Sequence, residues 1–193
     1  MNLSRQSLAA LRMLAVLTVL LGVVYPAAVW GIGRVAFADQ ASGSLVRRDG
    51  TVVGSSLLGQ AFTGADTFHG RPSTSDDAGG TSGGSNLAAS DPAQRRALAQ
   101  RRATLERAGD VPPSGVAAPD ALTASASGLD PDISPAYALA QVPRVARATG
   151  IGESALRTLV RRHTTGRTLG FLGEPRVDVL ELNLALALDR ARG

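Results

Sequence analysis

The sequence predicts an α+β chain: a single N-terminal transmembrane helix followed by one mixed, helix-rich extracytoplasmic domain with few strands. Three observations carry this. Residues 13–30 hold no charge; Asp91-Pro92 and Ser134-Pro135 are helix-opening pairs; and residues 39–90 are so rich in Gly, Ser, Thr and Asp that long strands are not expected there. A chain of 193 residues has room for one span and one modest domain.

The apolar run comes first. Eighteen helical residues at roughly 1.5 Å each reach about 27 Å, close to the hydrocarbon thickness, and residues 31–36 extend the span to 13–36. Tyr25 and Trp30 suit the headgroup layer, while Pro26 removes a backbone donor and predicts a kink. Gly22, Tyr25, Pro26, Ala27 and Gly31 are the candidate contacts to a membrane partner, with Ala27 and Gly31 at small-xxx-small spacing. A cleaved secretory signal is the rival reading, since Ala36-Phe37-Ala38 has the A-x-A form; the length of the apolar run favours an uncleaved anchor. Residues 1–12 are then cytoplasmic, and the domain 39–193 lies on the far side of the cell membrane as a single-pass arrangement.

Within that domain, Thr51-Val52-Val53 and Leu57-Leu58 are short β-favouring stretches, and 74–85 reads as a flexible Gly-rich loop. A phosphate-cradling role for those glycines lacks the following Lys. Asp91 as N-cap, Pro92 at the first position and Gly109 past the end bound an Arg-rich surface helix whose apolar stripe is only Leu98 and Leu105. A Pro-rich linker covers 111–120. A helix from Ser134 runs toward Gly150, with Pro143 breaking or bending it. Another covers 153–162 with Leu156, Leu159 and Val160 on one face; the last opens on the Asp178-x-x-Glu181 capping box and is apolar enough to be core, yet too short to span a bilayer.

Composition excludes much chemistry. The chain has no Cys, so disulfides, thiolate nucleophiles and Cys-based metal sites are absent; all 20 cations are Arg, so no Walker or Schiff-base lysine exists. Beyond Ala38, 17 Arg face all 16 acids and aromatics are only 4%, which disfavours nucleic acid. His69 and His163 have no metal-binding spacing and read as packing or surface residues. Ser127-Gly128-Leu129-Asp130 lacks a convincing base, and Asp130 and Asp132, beside Pro131 and Pro135, suit turn and cap roles better than paired catalysis.

Several segments in order resemble one family. They are Gly22-Val23-Val24-Tyr25-Pro26; Gly43-Ser44-Leu45; Leu58-Gly59-Gln60 with Phe62-Thr63-Gly64; Phe68-His69-Gly70-Arg71-Pro72-Ser73; and Gly83-Gly84-Ser85-Asn86-Leu87. Further on stand Thr123-Ala124-Ser125-Ala126-Ser127-Gly128-Leu129-Asp130; Gln141-Val142-Pro143-Arg144-Val145-Ala146; and Val179-Leu180-Glu181-Leu182-Asn183. Together they resemble the KdpC family, the small subunit of the bacterial Kdp potassium-transporting P-type ATPase, over nearly the whole chain. The departures are a missing tyrosine after Arg71-Pro72-Ser73, Asp132 where His or Asn is usual, and Asp178 in place of Asn.

The resemblance implies a non-catalytic accessory subunit of a high-affinity ATP-driven K+ import complex, assisting assembly and transport. Its implied partners are a channel-like potassium-binding subunit, a P-type ATPase subunit, a small membrane subunit and the membrane, with no nucleic acid. It implies no cofactor held by this chain alone, and ATP and K+ at the level of the complex. A catalytic-chaperone role, raising the ATPase subunit's affinity for ATP, would have to be transmitted through the membrane if the domain lies outside. The alternative is a membrane-anchored extracytoplasmic binding or sensor module. The motif residues carried over are Gln60, Phe62, Arg71, Pro72, Ser73, Gly84, Ser85, Asn86, Ser127, Gly128, Leu129, Asp130, Gln141, Arg144 and Asn183.

Overall fold

The computed structural model describes residues 3–111 and 115–192. The chain divides into two compact units, Met1–Leu45 and Val46–Gly193. The first is dominated by a helical run over Leu3–Ala36 of 34 residues, long and apolar enough to cross a membrane, with none of the side chains in its apolar window buried. It comprises α1 (Leu3–Val19), a π turn (Leu20–Val24) and α2 (Tyr25–Ala36). The helix thus begins ten residues ahead of the span read from the sequence. Leu8, Ala9, Ala10 and Leu11 are good helix formers, and nothing before Gly22 breaks the pattern.

Pro26 has no N–H to give to the carbonyl four residues back. The helix accommodates it by widening just before it, where the Tyr25 N–H donates to Leu20 O, five residues back. A π turn immediately ahead of a proline is one of the recognised causes of helix distortion. The one-turn α3 (Ala38–Ala41) follows, and Arg34 donates to Ser42 Oγ at 3.1 Å.

The second unit opens on a two-stranded hairpin of β1 (Leu45–Arg48) and β2 (Thr51–Ser55). Asp49 and Gly50 both have positive φ, 50° and 79°, the geometry of a type I′ turn and the reason Asp-Gly stands there. Leu57-Leu58, read as β-favouring, lies outside any strand: the Leu58 N–H instead closes a turn on Ser55 O.

α4 (Pro92–Ala108) starts and stops as the sequence predicts: Asp91 accepts from the Ala93 N–H and Gly109 is left-handed at φ 81°. Leu105 is its buried residue and its arginines are mostly exposed. Within the Pro-rich stretch read as a linker, residues 112–114 lie outside the described residues, while Pro119–Leu122 form a one-turn helix, α5, that buries Ala121.

β3 (Asp132–Ile133), β4 (Thr164–Thr165) and β5 (Arg176–Asp178) form an antiparallel sheet in the order β3-β5-β4, pairing Ile133 with Val177 and Thr164 with Val177. Against it lie α6 (Pro135–Thr149) and α8 (Val179–Arg192), and α7 (Glu153–Arg162) packs on both of these helices. Ser134 caps α6 through the Tyr137 N–H, and Asp178 caps α8 through the Glu181 N–H at 2.8 Å. Of the two outcomes expected at Pro143, a break does not occur: α6 runs through it from Pro135 to Thr149. The helix is capped at both ends and buries Tyr137, Ala138, Gln141, Val142, Arg144 and Val145, and this tertiary anchoring outweighs a cost of roughly 3 kcal/mol for an interior proline.

The core joins Phe68, Ile133, Val142, Val145, Leu156, Val160, Val177, Leu182 and Leu186, all essentially inaccessible. Each such side chain contributes about 1.5–3 kcal/mol. These residues come from one irregular segment, one sheet and three helices, giving the mixed α+β class the composition predicts.

Candidate functional site

The motif residues converge on two places in the second unit. The first is an internal polar clamp. Gln141 and Arg144 sit one turn apart on the buried face of α6, a spacing of three that points them the same way. Arg144 Nε donates to both carboxylate oxygens of Asp110 at 2.9 and 3.0 Å, Nη2 to Gln141 Oε1 at 2.6 Å, and Nη1 to the carbonyls of Ala65 and Thr67 at 2.8 Å each. Side-chain exposure is 7% for Arg144 and 1% for Asp110, so this ion pair is desolvated and depends on full satisfaction of both groups.

Gln141 Oε1 also accepts from the His69 N–H at 2.7 Å, and its Nε2 donates to His69 O. Asn183, from α8, makes the same two-way contact with Phe68: it accepts from its N–H and donates to its carbonyl, both at 2.8 Å. Three side chains therefore hold the backbone of residues 65–69 as a strand partner would.

His69 is not a surface residue. Burial, then the Arg144 charge, lowers its pKa, and Nε2 lies 2.9 Å from Gly64 O. A carbonyl only accepts, so Nε2 carries the hydrogen and cannot act as a base.

The second place is a knot of loops. Arg71 Nη1 pairs with Asp130 at 2.6 Å, and Asp130 Oδ1 accepts from the Asp132 N–H in an Asx turn, which is the turn role expected of that acid. Ser73 and Ser75 hydroxyls both donate to Gly128 O, the Gly83 N–H donates to Ser127 O at 2.8 Å, the Gly59 N–H to Leu129 O, and the Ser125 N–H to Pro72 O. Gly128 is left-handed at φ 68°, and a Cβ there would fall 2.7 Å from Gly83 O; a Cβ on Gly84 would fall 2.8 Å from Ala126 O. Those glycines permit backbone to approach backbone.

Residues 74–85 are held by further bonds, Thr74 to Gly83 O and Ser82 to Ser127 O. Ser85 is half-buried beside the knot, while Asn86 is exposed and left-handed at φ 52°, a conformation asparagine tolerates.

Between clamp and knot opens a cleft of about 450 Å³, within the range of small-molecule pockets. Gln60, Phe62, Arg71 and Pro72 of the motif set line it, joined by Asp77, Arg101 and Tyr137, which sequence reasoning did not single out. Gln60 is anchored to Val53 O and Arg101 to Leu122 O. Arg71 Nε is buried with no acceptor among the described residues. Burial raises the pKa of Asp77, with Asp76 beside it adding to the effect, and burial also raises Tyr137, keeping its hydroxyl protonated.

The anchor residues belong to the first unit. Gly22 lies in the π turn, and Tyr25, Pro26 and Ala27 open α2 with their side chains exposed. Ala27 and Gly31 lie one turn apart, and a Cβ on Gly22 or Gly31 would meet nothing within 4 Å. Asp110, the counter-ion of the clamp, was also missed, since its partner lies 34 residues away and no local pattern marks it.

A family model described as KdpC, the K+-transporting ATPase c chain, matches residues 7–188. The potassium-transporting ATPase KdpC subunit of Sorangium cellulosum is 53% identical over 183 residues, covering 92% of this chain and 94% of its own. The protein of the same description from Mycobacterium tuberculosis H37Rv is 47% identical over 184 residues, covering 94% of this chain and 97% of its own. That from Rhodopseudomonas palustris is 47% identical over 191 residues, covering 92% and 94%. Anchor, clamp and knot all fall inside the matched span, and the chain belongs to the KdpC family, the c chain of the K+-transporting ATPase.

Proposed function

We propose that this chain is a non-catalytic accessory subunit of an ATP-driven K+ import complex in the cell membrane. The observation that carries the reading is end-to-end similarity to subunits of potassium-transporting ATPases, matched by a chain built as one membrane-length helix and one folded head. Its N-terminal helix packs against a channel-like or ATPase subunit through Ala27 and Gly31, and its head, residues 39–193, lies outside the cytoplasm. From there the head assists assembly and biases the conformational equilibrium of the pump, raising ATP affinity at a distance through differential binding to two pump states.

The rigid cross-linking of residues 65–69, α6 and α8 supports a head that acts as one body. The deciding experiment is deletion of the gene followed by growth at micromolar K+. Loss of growth, restored by the intact chain, is expected; normal growth overturns the reading. Because the chain lacks cysteine, a Ser82→Cys variant in intact cells tests sidedness, with labelling by a membrane-impermeant maleimide expected.

A further inference from the structure

Between β4 and β5 the chain turns back on itself, and every residue of 165–176 is exposed. Its tip is not loose. The Thr168 N–H donates to Leu172 O, the Leu172 and Phe171 N–H groups donate to Thr168 O, and the Gly170 N–H donates to Arg167 O. This closed turn presents Leu169, Phe171 and Leu172 at 79%, 69% and 51% exposure. Leu169 sits at φ 55°, a left-handed conformation that strains a leucine and that glycine or asparagine adopts more readily. A leucine that is strained and nearly bare does nothing for the fold that holds it.

The surroundings are basic. Arg161, Arg162, Arg167 and Arg176 flank the turn against Glu174 as the only acid in 161–176. Arg167 pairs with Glu174 and Arg176 with Asp132, whereas Arg161 and Arg162 form no ion pair among the described residues. A stable protein interface buries roughly 800 Å² per partner, more than a single convex turn of this size offers. Three exposed apolar side chains in a stretch that carries four arginines and one acid, on a chain that also has a membrane-length helix, match an anionic lipid surface instead.

We propose that the 168–172 turn is a lipid-contacting tip: Leu169, Phe171 and Leu172 enter the interfacial layer of an anionic bilayer while Arg161 and Arg162 meet its headgroups. This does not depend on the accessory-subunit reading and is tested without other subunits. The full chain carrying Phe171→Cys, labelled with an environment-sensitive dye, is reconstituted into phosphatidylcholine vesicles with and without phosphatidylglycerol. A Ser154→Cys variant, at the opposite end of α7, serves as the exposed control.

The expected result is a blue-shifted emission at position 171, quenching by nitroxide-bearing lipids, and iodide quenching several-fold weaker than at position 154, all more marked with phosphatidylglycerol. Adding Leu169→Asn and Leu172→Ser should abolish the shielding while leaving head melting unchanged. Equal iodide access at both positions, indifference to phosphatidylglycerol, or shielding that arises only when other membrane proteins are co-reconstituted overturns the proposal.

Discussion

The two units solve opposite problems with the same side-chain types. In the membrane-length helix none of the leucines and valines in its apolar window is buried, an arrangement that suits a lipid solvent, and the backbone satisfies itself within the helix. In the head Leu105, Leu156, Leu159, Leu180, Leu182 and Leu186 turn inward, and a handful of polar groups, Gln141, Arg144, Asp110 and Asn183, are buried with them. The lesson is that stability in the helix is local and tolerant, whereas stability in the head depends on a few polar contacts that cannot lose one partner without stranding the other.

That contrast can be broken in a graded way. Arg144→Ala should have the largest effect, since it strands the Asp110 carboxylate and leaves the Ala65 and Thr67 carbonyls without their donor; a loss of about 3–5 kcal/mol is expected. Hydrogen exchange on the full chain should show the head amides collapsing while those of 3–36 keep their protection. Retained protection in the head would mean the clamp is ornamental.

Asn183→Ala comes next, at about 2–3 kcal/mol, because it unpairs the buried N–H and carbonyl of Phe68. Denaturant melts of the head measure it, and a change under 1 kcal/mol would show that water replaces the amide.

Asp178→Asn sharpens the contrast from the other side. Burial raises this carboxyl from 3.8 to about 6, opposed by its bond from the Glu181 N–H. A raised carboxyl favours the folded state below 3.8, and that contribution is lost as pH climbs through about 6, leaving a charged group in a poor environment. Asparagine keeps the cap acceptor without the charge. A gain of about 1–2 kcal/mol is expected at about pH 7.5, allowing for partial exposure, fading to nothing below about pH 4. A pH-independent difference would refute the titration.

The smallest effect on the fold belongs to Gly31→Leu. Head melting should stay within about 0.3 kcal/mol of the parent, while recovery of co-purified membrane subunits falls. Unchanged recovery would remove Ala27 and Gly31 from the partner surface.

Elements with local punctuation were legible before the structure. The boundaries of α4 and α6 and the start of α8 follow from Asp91, Ser134, Gly109, Gly150 and the Asp178 box, because a cap is chemistry between residues two or three apart. The three-stranded sheet was not legible: strands of two or three residues carry no period to detect, and the pairing of β3 with β5 joins residues more than forty apart. Asp49-Gly50 was a readable hairpin signal that went unread.

The motif residues were found, but their role was not. Gln141 and Asn183 look like surface amides until the backbone they pair with is known, and Pro143, which the sequence marks as a break or a bend, is carried by a helix secured at both ends. Arg101 and Asp77 reach the cleft only through folding and left no local trace.

The hold that Asn183 keeps on Phe68 spans 115 positions of chain. A ribosome delivers Phe68 long before it delivers the asparagine that will receive it, so the segment that emerges early meets Gln141 and Arg144 of α6 first and is completed only when α8 arrives. A nascent chain cut short ahead of α8 is thus left with the N–H and carbonyl of Phe68 still waiting for their amide.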